Sequence, residues 1–134
     1  MNFSSWQEFE EAIREILEVH GFSTEFRYVF RDDKGRAEVD VLAERYGLIL
    51  AIDAKRYTEG WYRLSAIKKE AEKHAERCRR LERVKKKKVI PVVVPLIDDS
   101  IYLYRKSIIV PYSKLNDFLL NVHAYLHEFD FDAD

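Results

Sequence analysis

Three acids and a lysine, grouped in two short segments, are the residues of this sequence best suited to chemistry. The segments are Glu38-Val39-Asp40 and Asp53-Ala54-Lys55, and twelve residues separate Asp40 from Asp53. Residues two apart on a β-strand lie on one face about 6.5 Å from each other, so each segment would present its two charged side chains together. Carboxylates at the ends of apolar strands are costly unless they bind something, and oxygen ligands suit hard divalent cations. The pattern therefore predicts a magnesium site.

A further acid, Glu10, lies on the first predicted helix. Ser5 followed by Glu8 has the form of a capping box, and Gly21 is a stop signal. Between them, apolar residues recur at helical spacing: Trp6, Phe9, Ile13, Ile16 and Leu17. At about 100° per residue, Glu10 borders this apolar face, from which a carboxylate could reach the strand ends. The alternative is an ordinary surface acid near a helix N-terminus, where the helix dipole favours negative charge.

The two charged segments fall on neighbouring strands of a predicted meander. Phe26, Tyr28 and Phe30 alternate with polar residues, the pattern of a strand, before a turn-prone stretch that contains Gly35. Residues 37–44 resume an extended chain, and residues 48–52 are apolar on both faces, as expected of a strand at the centre of a sheet. A hairpin between the second and third strands would bring Asp40 near Asp53.

The remaining elements complete an α/β fold. A small-residue stripe predicts a long helix that packs closely on the sheet, and Ser113 is expected to cap a final helix. The strand between them should pair in parallel with the third strand, although Pro91 weakens a central placement. The stripe consists of Leu64, Ile67, Ala71, Ala75, Cys78 and Leu81, and the further strand candidates are 89–94, 101–104 and 108–110. The expected order is α-β-β-β-α-β with a C-terminal β/α extension, a mixed central sheet flanked by helices.

These segments resemble the PD-(D/E)XK nuclease superfamily, with its restriction endonuclease-like fold. The resemblance extends from Trp6 to about Val94 and includes Mrr-like and archaeal Holliday junction resolvase-type nucleases. Phe9-Glu10 with Gly21-Phe22 is similar to the Mrr-like first helix. Glu38-Val39-Asp40 matches the acidic arm, and Asp53 to Tyr57 is similar to the (D/E)-x-K end. Two departures occur: no proline precedes Asp40, and the second acid is Asp rather than Glu. The chain is expected to be one nuclease-like domain, 1–134, with its core at about 5–95 and an extension at about 96–134.

The resemblance implies a Mg²⁺-dependent endonuclease that hydrolyses DNA phosphodiester bonds, with Mn²⁺ able to substitute. Asp40, Asp53 and the Ala54 carbonyl would hold the ion, and Glu10 would contact the ion or its water. Lys55 would orient the attacking water and offset charge on the phosphate. Glu38 either supports this site or pairs with a nearby cation, and we favour the pairing role. An RNA-directed nuclease and an inactive nucleic-acid-binding or scaffold module with the same fold are the alternatives.

Basic and aromatic residues after the motif are candidates for contacting nucleic acid. Arg56, Tyr57, Trp61 and Tyr62 could contact phosphates or stack on bases, but equally could serve packing or a dimer contact. Residues 63–88 carry twelve Lys or Arg against four Glu, although the net charge of the chain is −1. Candidate backbone contacts on this helix are Lys69, Lys73, Arg77, Arg80 and Arg83, with a solvated face and a Glu76–Arg80 pair as the alternative.

Composition limits the class of protein. The single cysteine, Cys78, excludes an internal disulfide framework, and the polar N-terminus does not resemble a signal peptide, so we expect a cytoplasmic protein. The longest apolar run, 89–97, is too short to span a membrane. Three Asn and one Gln among many charged residues are typical of heat-adapted proteins. All four histidines are interpreted as structural. DNA, linear or branched, is the expected partner, and cutting two strands favours a homodimer.

Overall fold

The computed structural model describes residues 3–56, 63–97 and 100–131. Within them, a six-stranded mixed sheet is flanked by helices, which confirms the predicted fold class. The strand order is β1-β2-β3-β4-β6-β5. The elements are α1 Trp6–Val19, β1 Ser23–Asp32, β2 Gly35–Arg45, β3 Leu48–Lys55, α2 Arg63–Lys85, β4 Ile90–Pro95, β5 Tyr102–Tyr104, β6 Ser107–Ile109, a 3₁₀ turn Tyr112–Lys114, α3 Leu115–Leu120 and α4 Val122–Glu128.

The two faces of the sheet bury separate sets of apolar side chains. On one face, side chains of α1, α3 and α4 pack on the strands: Phe9, Ile13, Leu17, Phe118, Val122 and Leu126 meet Val41, Leu50, Ile52 and Val92. On the other face α2 packs, with Ile67, Ala71, Cys78 and Leu81 against Ile49, Ala51, Val93 and Ile109. β3 contributes buried residues to both faces, which explains why its sequence is continuously apolar and agrees with the predicted central position.

Local signals position α1 as expected. The Ser5 side chain accepts a hydrogen bond from the Glu8 amide at 3.2 Å, whereas the Glu8 carboxylate accepts from the Ser4 hydroxyl. At the other end, Gly21 adopts a positive φ of 85°, and the Phe22 amide donates to the Leu17 carbonyl, which is a Schellman ending.

Strand β4 corrects the expectation drawn from Pro91. β3 and β4 pair in parallel, as the crossover predicted, but β4 is central, between β3 and β6. The Val110 amide donates to the Val93 carbonyl, so the odd-numbered residues of β4 direct their backbone groups toward β6. Pairing with β6 begins at Val92, one residue past Pro91. The missing N–H of Pro91 therefore removes no hydrogen bond between described strands of the sheet.

The C-terminal helix is divided, and Ser113 does not cap it. Residues 112–114 form a 3₁₀ turn, and α3 begins after Lys114 without a side-chain cap. The break between α3 and α4 falls at Asn121, whose side-chain amide donates to the Asp117 carbonyl at 3.1 Å. Asparagine is unfavourable inside helices because its side chain can hydrogen-bond to backbone groups in this way.

Along the β1–β2 hairpin, the side chains change from one face of the sheet to the other at Arg27 and Asp40. Phe26 and Val41 pack on the α1 side, whereas Tyr28, Phe30 and Val39 pack on the α2 side. Residues of equal parity thus lie on opposite faces, which requires a backbone irregularity, and Arg27 has a φ of 49°. The regular same-face spacing predicted for Glu38 and Asp40 is interrupted at this point.

No described helix combines the length and apolar character needed to cross a membrane.

Candidate active site

Strands β2 and β3 separate where the two predicted aspartates lie. Their pairing ends at Val41 and Ile52, so the next two opposed residues would be Asp40 and Asp53. There, the Ala54 amide donates to Asp40 Oδ2 at 2.9 Å. The aspartate carboxylate thus takes the place of a strand carbonyl, which holds its side chain in the gap between the strands.

Asp53 is buried and incompletely paired. Its side chain follows the alternation of β3 onto the α2 side of the sheet, and the residue is 2% exposed. Asp53 Oδ1 lies 3.3 Å from Lys55 Nζ, but Oδ2 is buried without a hydrogen-bond partner among the described residues. Such an orphaned carboxylate oxygen is rare in folded proteins, and an ion, a water or a proton shared with the neighbouring Asp40 side chain would complete it.

Lys55 is held between two acids. Its Nζ lies 3.3 Å from Asp53 Oδ1 and 3.4 Å from Glu70 Oε2 on α2. Burial lowers the pKa of Lys55, but Asp53, Glu70 and Asp40 together outweigh it, and the pKa is raised above its usual value. The lysine is therefore a fixed ammonium. Glu70 was not predicted as a site residue, although its position three residues after Ile67 and four before His74 places it at the border of the buried stripe.

Glu10 approaches from α1. It is 6% exposed, and its Oε1 lies 2.9 Å from Arg27 Nη1. The Arg27 guanidinium also stacks over the Trp6 ring at 4.4 Å. Arg27 was not predicted as a site residue. It occupies the register position opposite Asp40, and only its positive φ turns it toward α1, which alternation does not reveal.

The three carboxyl groups retain protons more strongly than usual. Burial, then the charge of Asp40, raises the pKa of Glu10 to about 7, and Arg27 opposes this. Burial and Asp53 raise the pKa of Asp40 to about 6. Burial also raises the pKa of Asp53, against the pull of Lys55. The site therefore concentrates more negative charge than its own cations balance, a condition that a bound cation relieves.

A buried histidine supports the α2 side of the site. His74 Nε2 is 2.7 Å from the Ala51 carbonyl, and its Nδ1 is 3.1 Å from Arg77 Nη1. Burial lowers the pKa of His74 to about 4, so the ring is neutral, donates to Ala51 and accepts from Arg77. The structural interpretation of His74 is consistent with these bonds. Arg77 is thereby held near Asp53, whose pKa its charge lowers.

The donors suit a magnesium ion that keeps part of its water shell. No three His, Cys, Asp or Glu side chains within 3–56, 63–97 and 100–131 converge as a closed metal cluster. Asp40 and Asp53 provide two carboxylates. Because the Ala54 amide points to Asp40, its carbonyl is directed to the same side of β3. Mg²⁺ is commonly bound by one or two carboxylates with water and substrate phosphate, so the orphaned Asp53 oxygen and this donor set fit the ion.

The other predicted residues have varied placements. Glu38 pairs with Arg36 at 3.1 Å, which agrees with the favoured pairing role. Arg56, Lys69 and Lys73 are exposed. Tyr57, Trp61 and Tyr62 lie outside the described residues.

Arg79 and Arg80 of α2 form ion pairs within the fold. Arg80 forms two hydrogen bonds with Asp32, at 2.6 and 2.8 Å, and a third with the Gly35 carbonyl. Glu76 pairs with Arg79, so the expected Glu76–Arg80 pair is wrong. Arg80 instead reaches across to the β1–β2 hairpin.

A mixed α/β fold with an acid–lysine cluster where two strands separate thus defines the class of this protein. No family model matches the sequence. An uncharacterized protein of Archaeoglobus fulgidus (strain ATCC 49558), a thermophilic archaeon, is 56% identical over 126 residues, which cover 94% of this chain and 98% of that protein. The chain belongs to the same family as this archaeal protein.

Two solved structures align with the fold. The crystal structure of AF1548, a protein of unknown function, matches with a TM-score of 0.59 and 22% identity over 87% of this chain and 66% of that one. The chain therefore spans just under two thirds of AF1548, and the match supports the fold alone. The small subunit of the heterodimeric restriction endonuclease R.BspD6I aligns with a TM-score of 0.49 and 12% identity, over 94% of this chain and 89% of the subunit.

Proposed function

We propose that this protein is a metal-dependent endonuclease that hydrolyses DNA phosphodiester bonds. The observation that carries the proposal is the buried Asp53 Oδ2, which has no hydrogen-bond partner among the described residues and lies beside Asp40 and the Lys55 ammonium. Two carboxylates whose pKa values are raised, together with a fixed ammonium, match what phosphodiester hydrolysis needs, namely a cation site and a positioned hydrogen-bond donor. The resemblance of the two segments to the PD-(D/E)XK motif supports the same activity.

Each residue then has a defined task. Asp40, Asp53 and the Ala54 carbonyl hold a Mg²⁺ ion, with Mn²⁺ as a substitute. When bound, the ion supplies charge relief on the phosphate and lowers the pKa of water. Lys55 donates hydrogen bonds to the attacking water and to a phosphate oxygen. Glu70 holds the Lys55 ammonium in place through its own contact with Nζ at 3.4 Å.

Glu10 is proposed to accept a hydrogen bond from water in the site rather than to bind the ion directly. Its pKa of about 7 suits exchange of a proton with water near neutral pH. Arg27 orients the Glu10 carboxylate through the 2.9 Å contact and limits how far its pKa rises.

One such site cuts one strand. Cleavage of both strands of a duplex therefore calls for a second copy of the chain, and a homodimer is the proposed active form on duplex DNA. Flap and branched substrates, by contrast, can be cut by one copy.

The test is a cleavage assay on linear duplex, single-stranded, flap and four-way junction DNA, and on RNA, in Mg²⁺, Mn²⁺ or EDTA. We expect cleavage of DNA in either metal and none in EDTA. Asp40→Asn should abolish cleavage because it removes one ligand charge at constant volume. Asp33→Asn, the same exchange in the exposed β1–β2 turn, is the matched control and should cut at the wild-type rate.

Three outcomes oppose the proposal. Equal cleavage by wild-type and Asp40→Asn protein would assign the activity to a contaminant. Cleavage confined to RNA would make the protein an RNA-directed nuclease. Tight binding of a substrate without any cleavage would favour the inactive binding module.

A further inference from the structure

The cations of α2 and of the β5–β6 hairpin divide into two groups. Several arginines have partners within the fold, such as Arg77 with His74 and Arg80 with Asp32. In contrast, several cations of these elements form no ion pair with any described residue. They include Lys68, Lys69, Lys73, Arg105 and Lys106. Their charge is thus available to a partner outside the protein.

The β5–β6 turn presents two of these cations at a conformational cost. Tyr104 pairs with Ser107, so Arg105 and Lys106 are the two central residues of a tight hairpin turn. Both have positive φ, 49° and 74°, the type I′ geometry that strongly prefers Asn-Gly. Side chains other than glycine or asparagine are strained in this region. An Arg-Lys pair in this turn therefore makes the hairpin less stable than Asn-Gly would. Backbone strain of this kind is found preferentially at functional positions.

These cations border an open groove between α2 and β5. The groove has a volume of about 550 Å³ and is lined by Leu64, Ser65, Lys68, Lys69, Glu72 and Tyr104. The Tyr104 ring joins its two sides, because Lys68 Nζ lies 5.3 Å from the ring and the Arg105 guanidinium 5.7 Å. Among the described lining residues, Lys68 and Lys69 face one acid, Glu72. This part of the groove therefore carries a net positive charge, with an aromatic ring at its wall.

The groove lies on the flank of α2 that faces β5, whereas Glu70 contacts Lys55 of β3 from the other flank of the helix. Lys69 lies between Lys68 and Glu70 on the outer side of α2, so DNA that reaches both the groove and the candidate active site must cross the helix there. From Lys69 to Ala75, which lines a second cavity together with Lys106, the helix rises about 9 Å, at 1.5 Å per residue. DNA phosphates follow one another at about 3.4 Å of axial rise per strand, so this length matches two to three phosphates.

We propose that this surface, defined by Lys68, Lys69, Tyr104, Arg105 and Lys106, docks the phosphate backbone of the DNA that the active site cuts. The proposal rests on the proposed function for the identity of the partner. The β5–β6 turn holds two cations against the backbone beyond the scissile phosphate, and its strain persists because the charges are needed there.

The test exchanges the strained turn for a relaxed, uncharged one. Arg105→Asn with Lys106→Gly supplies the favoured type I′ pair, so we expect Tm to rise by about 3–6 °C. At the same time, duplex binding should weaken. Each lost phosphate contact reduces the slope of log affinity against log salt by about 0.9, so the double variant should lose about 1.8. Binding is measured by fluorescence anisotropy in EDTA, which prevents cleavage.

The matched control is Lys86→Asn with Lys87→Gln at the far end of α2. Lys86 also has a positive φ, 56°, and is exposed, so this variant relieves similar strain and removes the same charge. We expect its salt slope to equal that of the wild type. An equal loss of slope in both variants would mean diffuse attraction and would overturn the docking surface.

Other outcomes separate this surface from the activity. If wild-type protein cuts DNA but the turn variant keeps the wild-type slope, the surface is refuted and the nuclease stands. If the slope falls as expected but no substrate is cut in Mg²⁺, the surface stands and the nuclease is refuted. If wild-type protein binds polyglutamate more tightly than duplex DNA, and only that binding falls in the variant, the partner is an acidic protein segment and the proposal is wrong.

Discussion

Raising the pH from 5.5 to 8 should tighten Mg²⁺ binding, because protons compete with the ion for the same carboxylates. With a pKa of about 6, Asp40 is only about a quarter ionised at pH 5.5 and almost fully ionised at pH 8. This residue alone should therefore strengthen the apparent affinity about fourfold across that range. Asp53, whose pKa is also raised, adds to the effect in the same direction.

The size of the effect also measures the part played by Glu10. With a pKa of about 7, Glu10 is ionised to only about 3% at pH 5.5. If its carboxylate is needed to hold water of the bound ion, the pH effect grows by a further factor of up to ~30. Glu10→Gln removes this contribution and should leave the smaller dependence due to the aspartates.

Isothermal titration calorimetry at the two pH values measures both quantities. Wild-type protein is compared with Glu10→Gln and with Asp40→Asn, and Asp33→Asn again serves as the exposed control. An affinity that does not change with pH, or an Asp40→Asn protein that binds Mg²⁺ as tightly as the wild type, would refute this assignment of the ligands.

Three further predictions concern stability. Because the folded pKa values of Glu10 and Asp40 lie above their unfolded values of 4.5 and 3.8, these groups should destabilise the metal-free protein progressively as the pH rises from about 4 to 7. The last part of this loss, from about pH 6.5 to 7.5, is measured in thermal melts, and Mg²⁺ should restore the stability. The depressed pKa of His74 acts with the opposite sign, but only below about pH 6.5. His74→Ala should lower the free energy of unfolding by about 2–4 kcal/mol in urea titrations, since it opens a cavity and removes the hydrogen bond that the ring donates to the Ala51 carbonyl. A loss below ~1 kcal/mol would contradict this. Arg80→Gln should destabilise the protein above about pH 4, and the difference from the wild type should disappear only below about pH 2. The reason is that the pKa of Asp32 is lowered to about 2, so its stabilisation is lost as the pH falls through that value. Identical acid-unfolding curves would exclude the pair.

The parts of the fold that sequence predicted correctly are those encoded in local patterns. The apolar spacing of α1, its Ser5 cap and the continuously apolar β3 depend on neighbours along the chain, and all are present. The parallel pairing of β3 with β4 followed from the length of the crossover. The misplaced features depend on tertiary context. Whether Pro91 weakens a sheet is decided by where β6 begins, and whether a C-terminal helix is continuous is decided by one asparagine side chain.

The candidate site shows the same division. The convergence of Asp40, Asp53 and Lys55 could be predicted from strand alternation and a hairpin, although the face exchange at Arg27 could not. Arg27 and Glu70 escaped prediction because each reaches the site across elements distant in sequence, through an irregular φ in one case and helix packing in the other. A search for acids on the border of the α2 stripe would have found Glu70, whereas no pattern marks a positive φ at an arginine.

The central claim is that the site turns over substrate, and Lys55→Met tests it most directly. Methionine keeps much of the apolar stem and deletes the ammonium, so the sheet should remain folded and Mg²⁺ binding should be unchanged or slightly tighter. If Lys55 acts in the transition state, kcat should fall at least ~10²-fold while the Kd for DNA changes little. The measurement is single-turnover cleavage in Mg²⁺ with saturating protein, beside DNA affinity in EDTA. A variant that cuts at the wild-type rate would show that Lys55 only pairs with Asp53 and Glu70, and would contradict the account.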